Sequence, residues 1–329
     1  MLIDAHLHLY ARKVLPEPYG RALNAYISRN AVLRRASHEV PPHIWELVDD
    51  PEGEKWASDM ERLGIDVSVN MINDFGSAEG WDEEAPLSIE EINRHFCELA
   101  KKYSGKLYTF AGVHPKRHNA VEILEKAVKE WGAKGLKLLS WLGFYPNDRI
   151  CYPMYEKCVE LGVPVTIHTG HGVFLQTEPC NPLCLDVPAK DFPELQFIMA
   201  HAGGGIGHFW EDAVSVARTN PNVNLELSDV APSVLKGGTL GDKGKYKDHI
   251  PMFLDMLDIF RNLTFGCTNI LFGTDYPNMP MELFKPWVDL FKNLPVVAAQ
   301  YGYDFSQEEA DLICYKNAAR IIKLDIPSE

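Results

Sequence analysis

Apolar positions along the chain fall into two alternating regimes. Short runs rich in β-branched and aromatic residues recur at MLIDAHLHL (1–9), IDVSVNM (65–71), LYTFAGVHP (107–115), AKGLKLLS (133–140), VPVTIHTG (163–170), LQFIMAHAG (195–203), VNLELSD (223–229) and ILFGTDYP (270–277). They are close to continuously apolar, as strands buried on both faces of a parallel sheet are. Between most of them the apolar spacing becomes helical, as in EEINRHFCELAKKYSG (90–105), AVEILEKAVKEWG (120–132) and PMYEKCVELG (153–162). These end on Gly105, Gly132 and Gly162, where a left-handed C-cap costs least. The alternation predicts a parallel sheet, and eight such units in 329 residues predict a (β/α)8 TIM barrel. An open doubly wound sheet would want a glycine-rich phosphate loop after the first strand, and HLHLYARK supplies none.

Two connections are too long for simple turns. Residues 10–58 follow the first strand and residues 229–262 follow the seventh, the latter including LKGGTLGDKGKYKD. Both leave the C-terminal ends of strands, the face on which barrel active sites are built. Tyr19, Tyr26, Ile44, Trp45 and Leu47 predict that the first insertion is folded. Without an internal repeat or a linker, residues 1–329 read as a single domain.

Polar residues interrupt these runs at particular places. In MLIDAHLHLY, side chains alternate faces, so Asp4, His6 and His8 share one side and Ile3, Ala5, Leu7 and Leu9 the other. His168 closes the fifth run, His201 the sixth and Asp275 the eighth. In a closed barrel these strand ends converge on one axial pocket. Several imidazoles and a carboxylate, with positions left for water, suit zinc or another first-row divalent ion. Core histidines are common singly and do not accumulate at corresponding strand ends by accident. Lys137, between Leu136 and Leu138, is predicted to point inward. His171, Trp141 and Phe144 are candidate walls for a planar substrate, and Arg12 and Arg149 offer bidentate forks for a carboxylate. His114 either faces the pocket or bonds a neighbouring loop. HAGGG (201–205) reads as a tight turn beside a ligand strand, and Cys267 as an inert core thiol.

Composition narrows the partners. With 32 basic against 46 acidic residues the net charge is −14, which argues against nucleic acid or an anionic membrane as the main partner. The seven cysteines are scattered without a CxxC pair and read as reduced thiols. No run approaches the length of a membrane span and no basic-then-apolar leader opens the chain, so a soluble, cytoplasmic protein is expected.

The motifs HLH, GLKLLSWLGFYPNDRICYPMYEKCVELGVPVTIHTG, FIMAHAGGG, FGTDYPN and NAARIIKL, in this order from residue 4 to residue 324, resemble the amidohydrolase superfamily. More narrowly, they resemble its amidohydrolase-related (amidohydrolase 2) branch of metal-dependent barrel hydrolases and decarboxylases. The resemblance implies that His6, His8, His168 and Asp275 hold one divalent metal ion. Zn2+ is the first expectation, with Mn2+ or Fe2+ as alternatives. His201 would serve as general acid/base or occasional ligand. In other members of the superfamily a fourth-strand lysine is carboxylated and bridges two metals; for Lys137 a plain ammonium is the expectation. The implied activity is hydrolysis of a small organic acid, amide or lactone by hydroxide generated on the metal, with Asp275 accepting the water proton. The alternative on the same residues is non-oxidative decarboxylation of an aromatic or unsaturated acid. A homodimer acting on a small molecule is expected from the resemblance.

Overall fold

Eight parallel strands follow one another around a barrel in sequence order: β1 (Ile3–Leu7), β2 (Val67–Met71), β3 (Leu107–Gly112), β4 (Leu136–Leu138), β5 (Val165–His168), β6 (Phe197–Ala200), β7 (Val223–Glu226) and β8 (Ile270–Leu271). The computed structural model describes residues 1–20, 48–76, 84–170, 176–204, 209–228, 230, 250–278 and 281–324. Each strand pairs with the next from β1 to β8. The last gap is closed by hydrogen bonds from Ala5 N–H to Phe272 O (3.0 Å), Asp275 N–H to His6 O (2.9 Å) and His8 N–H to Tyr276 O (2.6 Å). The (β/α)8 barrel expected from the pattern is the observed fold.

Outside the barrel lie α1 (Glu54–Leu63), α2 (Ile89–Lys102), α3 (Ala120–Lys126, continued by a wider turn to Trp131), α4 (Tyr152–Leu161), α5 (Asp186–Asp191), α6 (Phe209–Thr219), α7 (Ile250–Leu263) and α8 (Met281–Lys292). Helix α2 shows why these segments form. Ser88 accepts from Glu91 N–H while the Glu91 carboxylate accepts from Ser88 N–H, closing a capping box. Ile89, Ile92, Phe96 and Leu99 then present one buried stripe to the sheet. Buried Asn93 clasps Gly112 of β3, accepting from its N–H (3.1 Å) and donating to its O (3.0 Å). Gly112 must be glycine, since a Cβ there would stand 2.2 Å from Ile72 O. Gly132 and Gly162 close their helices with φ of 96° and 65°. Gly105 is also left-handed but lies beyond α2, whose cap is Tyr103.

The boundary of the second long connection changes. Of the long connection 229–262, residues from 250 onward belong to α7, an ordinary barrel helix that buries Phe253, Leu254, Leu257 and Phe260. Those positions follow helical spacing, and Phe253 packs edge-on against Trp287 of α8 with ring centroids 5.1 Å apart. From the first insertion, Tyr19 is buried with its ring 4.2 Å from Phe75. Tyr26, Ile44, Trp45, Leu47 and the run LKGGTLGDKGKYKD lie outside the described residues. Among the described residues no helix is long and apolar enough to cross a membrane. Cys267 is buried, and burial pushes its thiol up to about 12.

Candidate metal centre

The alternation of β1 is broken by an irregularity between Asp4 and Leu7, and the face-sharing expected for Asp4 breaks with it. Instead of joining the histidines, Asp4 binds the strand opposite. Its Oδ1 accepts from Thr274 N–H (2.9 Å) and His6 N–H (3.2 Å), and its Oδ2 meets Thr274 Oγ1 at 2.6 Å. Burial raises the Asp4 carboxyl to about 7, against those hydrogen bonds. The effect is to lock β1 to the segment that delivers Asp275. That residue sits at φ 56°, a left-handed conformation held by its N–H bond to His6 O.

His6, His8 and Asp275 converge. The two Nε2 atoms are 3.3 Å apart, and Asp275 Oδ1 lies 3.2 Å from His8 Nε2 and 3.6 Å from His6 Nε2. Each imidazole has its other nitrogen committed: His8 Nδ1 donates to Met71 O (2.7 Å) and His6 Nδ1 to Glu226 Oε2 (2.7 Å). Both Nε2 atoms therefore turn lone pairs toward each other and toward Asp275 Oδ1, a buried oxygen that lacks a hydrogen-bond partner among the described residues. Three electron-pair donors facing one another, of which only His6 Nε2 meets a donor in Lys137, would be costly unless a cation belongs between them. Donors about 2.1 Å from a tetrahedral ion stand about 3.4 Å apart, so the spacing fits a divalent metal. Lys137, buried on β4, donates from Nζ to His6 Nε2 at 3.3 Å. Burial lowers this lysine to about 8, opposed by Asp275 and Glu226.

His201 and His168 stand beside this trio. The Ser228 carbonyl can only accept, so His201 Nδ1 carries the proton it gives at 3.2 Å. His201 Nε2 then accepts from His168 Nδ1, 3.2 Å away, and the His6 and His201 ring centroids are 4.9 Å apart. His201 (φ 67°) and Ala202 (φ 44°) are left-handed, which aims the imidazole back over the barrel mouth. The turn needs its glycine, because a Cβ on Gly203 would lie 2.3 Å from Phe209 O. His168 contacts His201 and is not among the donors that lie mutually closest, which are His6, His8 and Asp275.

The structure adds a residue that the sequence reading passed over. Glu226, fully buried at the end of β7, groups with His6 and His201. Burial raises its carboxyl to about 8, opposed by bonds from Ser228 and His201 N–H and by the charge of Lys137. The signal was present in VNLELSD, an acid between Leu225 and Leu227 in an apolar strand.

The remaining candidates are placed as follows. Trp141 is buried near both His168 (centroids 6.5 Å) and Phe75 (6.1 Å). Phe144 is buried edge-on against His114 at 5.0 Å, and burial lowers His114 to about 4. Arg12 and Arg149 both lie at the surface. Arg12 is exposed on a turn that buries Val14 instead, its guanidinium 3.6 Å from Glu17. Arg149 is exposed and lies 4.4 Å over the Tyr152 ring. His171 lies outside the described residues.

A closed parallel barrel whose strand ends gather imidazoles and a carboxylate around a divalent-metal site defines a metal-dependent (β/α)8 enzyme. The chain belongs to the amidohydrolase family, whose model, described as Amidohydrolase, matches residues 3–324. It is 26% identical over 320 residues to a 2-keto-4-carboxy-3-hexenedioate hydratase of a Sphingobium species, covering 84% of this chain and 83% of that protein. Among solved structures it resembles an uncharacterized TIM-barrel protein from Bordetella bronchiseptica, with a TM-score of 0.68, 20% identity and 98% of both chains covered. It also resembles a 5-carboxyvanillate decarboxylase from Novosphingobium aromaticivorans complexed with manganese, with a TM-score of 0.66, 15% identity, and 98% and 96% of the two chains covered. At these identities the structural likenesses speak for the fold.

Proposed function

We propose that this enzyme delivers water to a small carboxylated substrate at a divalent metal held by His6, His8, His168 and Asp275. The reaction would be hydrolysis of an amide or lactone, or addition of water across a conjugated double bond. The observation that carries this reading is the meeting of two Nε2 lone pairs with Asp275 Oδ1, which is unpartnered among the described residues, while His201 stands beside His6. Sequence similarity to a hydratase over 84% of the chain supports hydration among these water-adding reactions.

A divalent cation supplies Lewis acidity, lowering the pKa of water from 15.7 to about 7 and polarising a carbonyl. The chain's own groups do the rest. Asn278 Nδ2 donates to Asp275 Oδ2 at 3.1 Å, which holds the carboxylate with Oδ1 toward His6 and His8, and this carboxylate accepts a proton from attacking water. His201, its Nδ1 proton held by Ser228 O, exchanges protons with substrate through Nε2 once the substrate displaces the bond from His168 Nδ1. Burial of both groups keeps competing water out of these transfers. The nitrogen-rich donor set favours zinc. Manganese is the ion bound by the solved decarboxylase and is the second choice.

Non-oxidative decarboxylation is the second reading, supported by likeness to that decarboxylase. There Asp275 would protonate the carbon that loses carbon dioxide. Protein stripped of metal and restored with Zn2+, Mn2+ or Fe2+ should be assayed on amides, lactones, unsaturated keto diacids and hydroxybenzoates. Gain of water that depends on restored metal is expected. Carbon dioxide release without water gain would favour the second reading, and full turnover in stripped protein would overturn both.

A further inference from the structure

Glu226 makes no contact with solvent, yet every donor around it is arranged for an ionised carboxylate. Its Oε2 accepts from His6 Nδ1 (2.7 Å), Ser228 Oγ (2.7 Å) and His201 N–H (3.3 Å), and its Oε1 accepts from Ser228 N–H (2.5 Å). Ser228 Oγ has one proton and gives it to Glu226. Its lone pairs are then left for His201 Nδ1 at 2.9 Å and for His6 Nδ1 at 3.1 Å. One carboxylate thus reaches both working histidines: His6 directly, and His201 through its backbone and through one hydroxyl.

We propose that Glu226 is a shared positioning residue, which fixes His6 with Nε2 turned to the metal and His201 with Nε2 turned to the substrate. This rests on the reading of the site given above. A carboxylate that takes the far proton of a ligand imidazole selects its tautomer, sets its orientation and makes it a better ligand. The same oxygen here also holds the peptide N–H of the acid/base residue. Ligand and proton carrier therefore cannot turn independently, and their spacing (4.9 Å between centroids) is set by one atom of β7.

A second metal ion among His6, His201 and Glu226 is the competing account of the same cluster. It fails on the contact between Glu226 Oε2 and His6 Nδ1, whose 2.7 Å separation is that of a hydrogen bond with its proton in place. The Ser228 hydroxyl also occupies the space between the two rings.

The test has two readouts that need no substrate. In metal-free wild-type protein, 15N spectra of the histidine rings should show His6 and His201 protonated on Nδ1. A His6 ring protonated on Nε2 would overturn the proposal whether or not the wild type binds metal. Zn2+ affinity measured against a competing chelator should fall about 10- to 100-fold in Glu226→Gln. In Ser228→Ala the loss should be smaller than in Glu226→Gln, while the His201 ring signal shifts, because the hydroxyl arms to His201 and Glu226 are cut and the direct bond from His6 Nδ1 to Glu226 Oε2 remains. Unchanged Zn2+ affinity in Glu226→Gln would overturn the proposal, as would two equivalents of Zn2+ bound to the wild type. Wild-type protein that binds no Zn2+ but shows the expected His6 tautomer would sink the metal reading and leave the positioning of His6 by Glu226 standing.

Discussion

Gly273 has given up its side chain to Glu226. A Cβ on Gly273 would stand 2.0 Å from Glu226 Oε1 and 3.1 Å from Ser228 Cβ, so the chain just past β8 must be bare for β7 to carry a buried acid. Gly273→Ala should therefore act at a distance, pushing the carboxylate away from His6. Overpacking of this kind costs about 1–3 kcal/mol. Urea unfolding should register that loss, and a chelator competition should show weaker zinc binding. A variant with wild-type midpoint and wild-type affinity would show that Glu226 has room the distances deny.

Asp275 and His201 both stand beside His6 with different duties, and substitution should separate them. Asp275→Asn places an amide where Oδ1 faces two imidazole lone pairs, so both metal affinity and turnover should collapse while the circular-dichroism spectrum is retained. His201→Asn leaves the three closest donors in place and should keep its metal stoichiometry. It should nonetheless lose about 10²- to 10⁴-fold in kcat, the range of a missing acid/base. Elemental analysis beside a turnover assay distinguishes the two; equal metal loss in both would make His201 a ligand.

Lys137 sets a pH dependence on metal uptake. Its ammonium lies 3.3 Å from His6 Nε2, the atom offered to the cation, and burial lowers it to about 8. Below that pH the ammonium repels an incoming cation and a proton must leave on binding. Apparent Zn2+ affinity should thus rise by up to about tenfold per pH unit below about 8 and level above it. Lys137→Met removes the charge and should flatten the profile between pH 6.5 and 8. The same slope in the variant would assign the released proton elsewhere.

Much of this arrangement can be read before folding, and the exceptions have physical causes. A strand buried on both faces tolerates an ionisable residue only for a reason, so His6, His8, His168, His201 and Asp275 stand out against their apolar runs. Glu226 carried the same signal between two leucines, and only its partners reveal what it does. Asp4 misled because the period-two rule assumes a regular strand, and the irregularity after it rotates the following residues. The eighth run predicts a strand to Pro277, whereas the ladder stops at Leu271 because Asp275 leaves extended backbone to reach the site. Arg12 and Arg149 have suitable chemistry for a carboxylate. Their direction depends on which way a short turn buries its apolar neighbour, which spacing does not encode.

Asp4 makes a final prediction with a defined sign. Its folded carboxyl is raised from 3.8 to about 7 by burial, so between those values the folded chain holds a proton that the unfolded chain has released. Stability from this group is complete below about pH 4 and falls as pH climbs toward 7, by roughly 1.4 kcal/mol per pH unit inside that window. Asp4→Asn mimics the protonated form: its amide can donate to Thr274 Oγ1 while Oδ1 still accepts from Thr274 and His6 N–H. His114, lowered to about 4, works in the opposite direction over much of the same range, since its stability contribution grows as pH rises to 6.5. Total stability of one protein therefore hides the effect, and the difference between wild type and Asp4→Asn exposes it. Chemical unfolding of both metal-free proteins from pH 4 to 7 should show the variant gaining on the wild type at each step. A pH-independent gap would place the Asp4 proton on the same footing in both states and remove the carboxyl from the lock between β1 and Thr274.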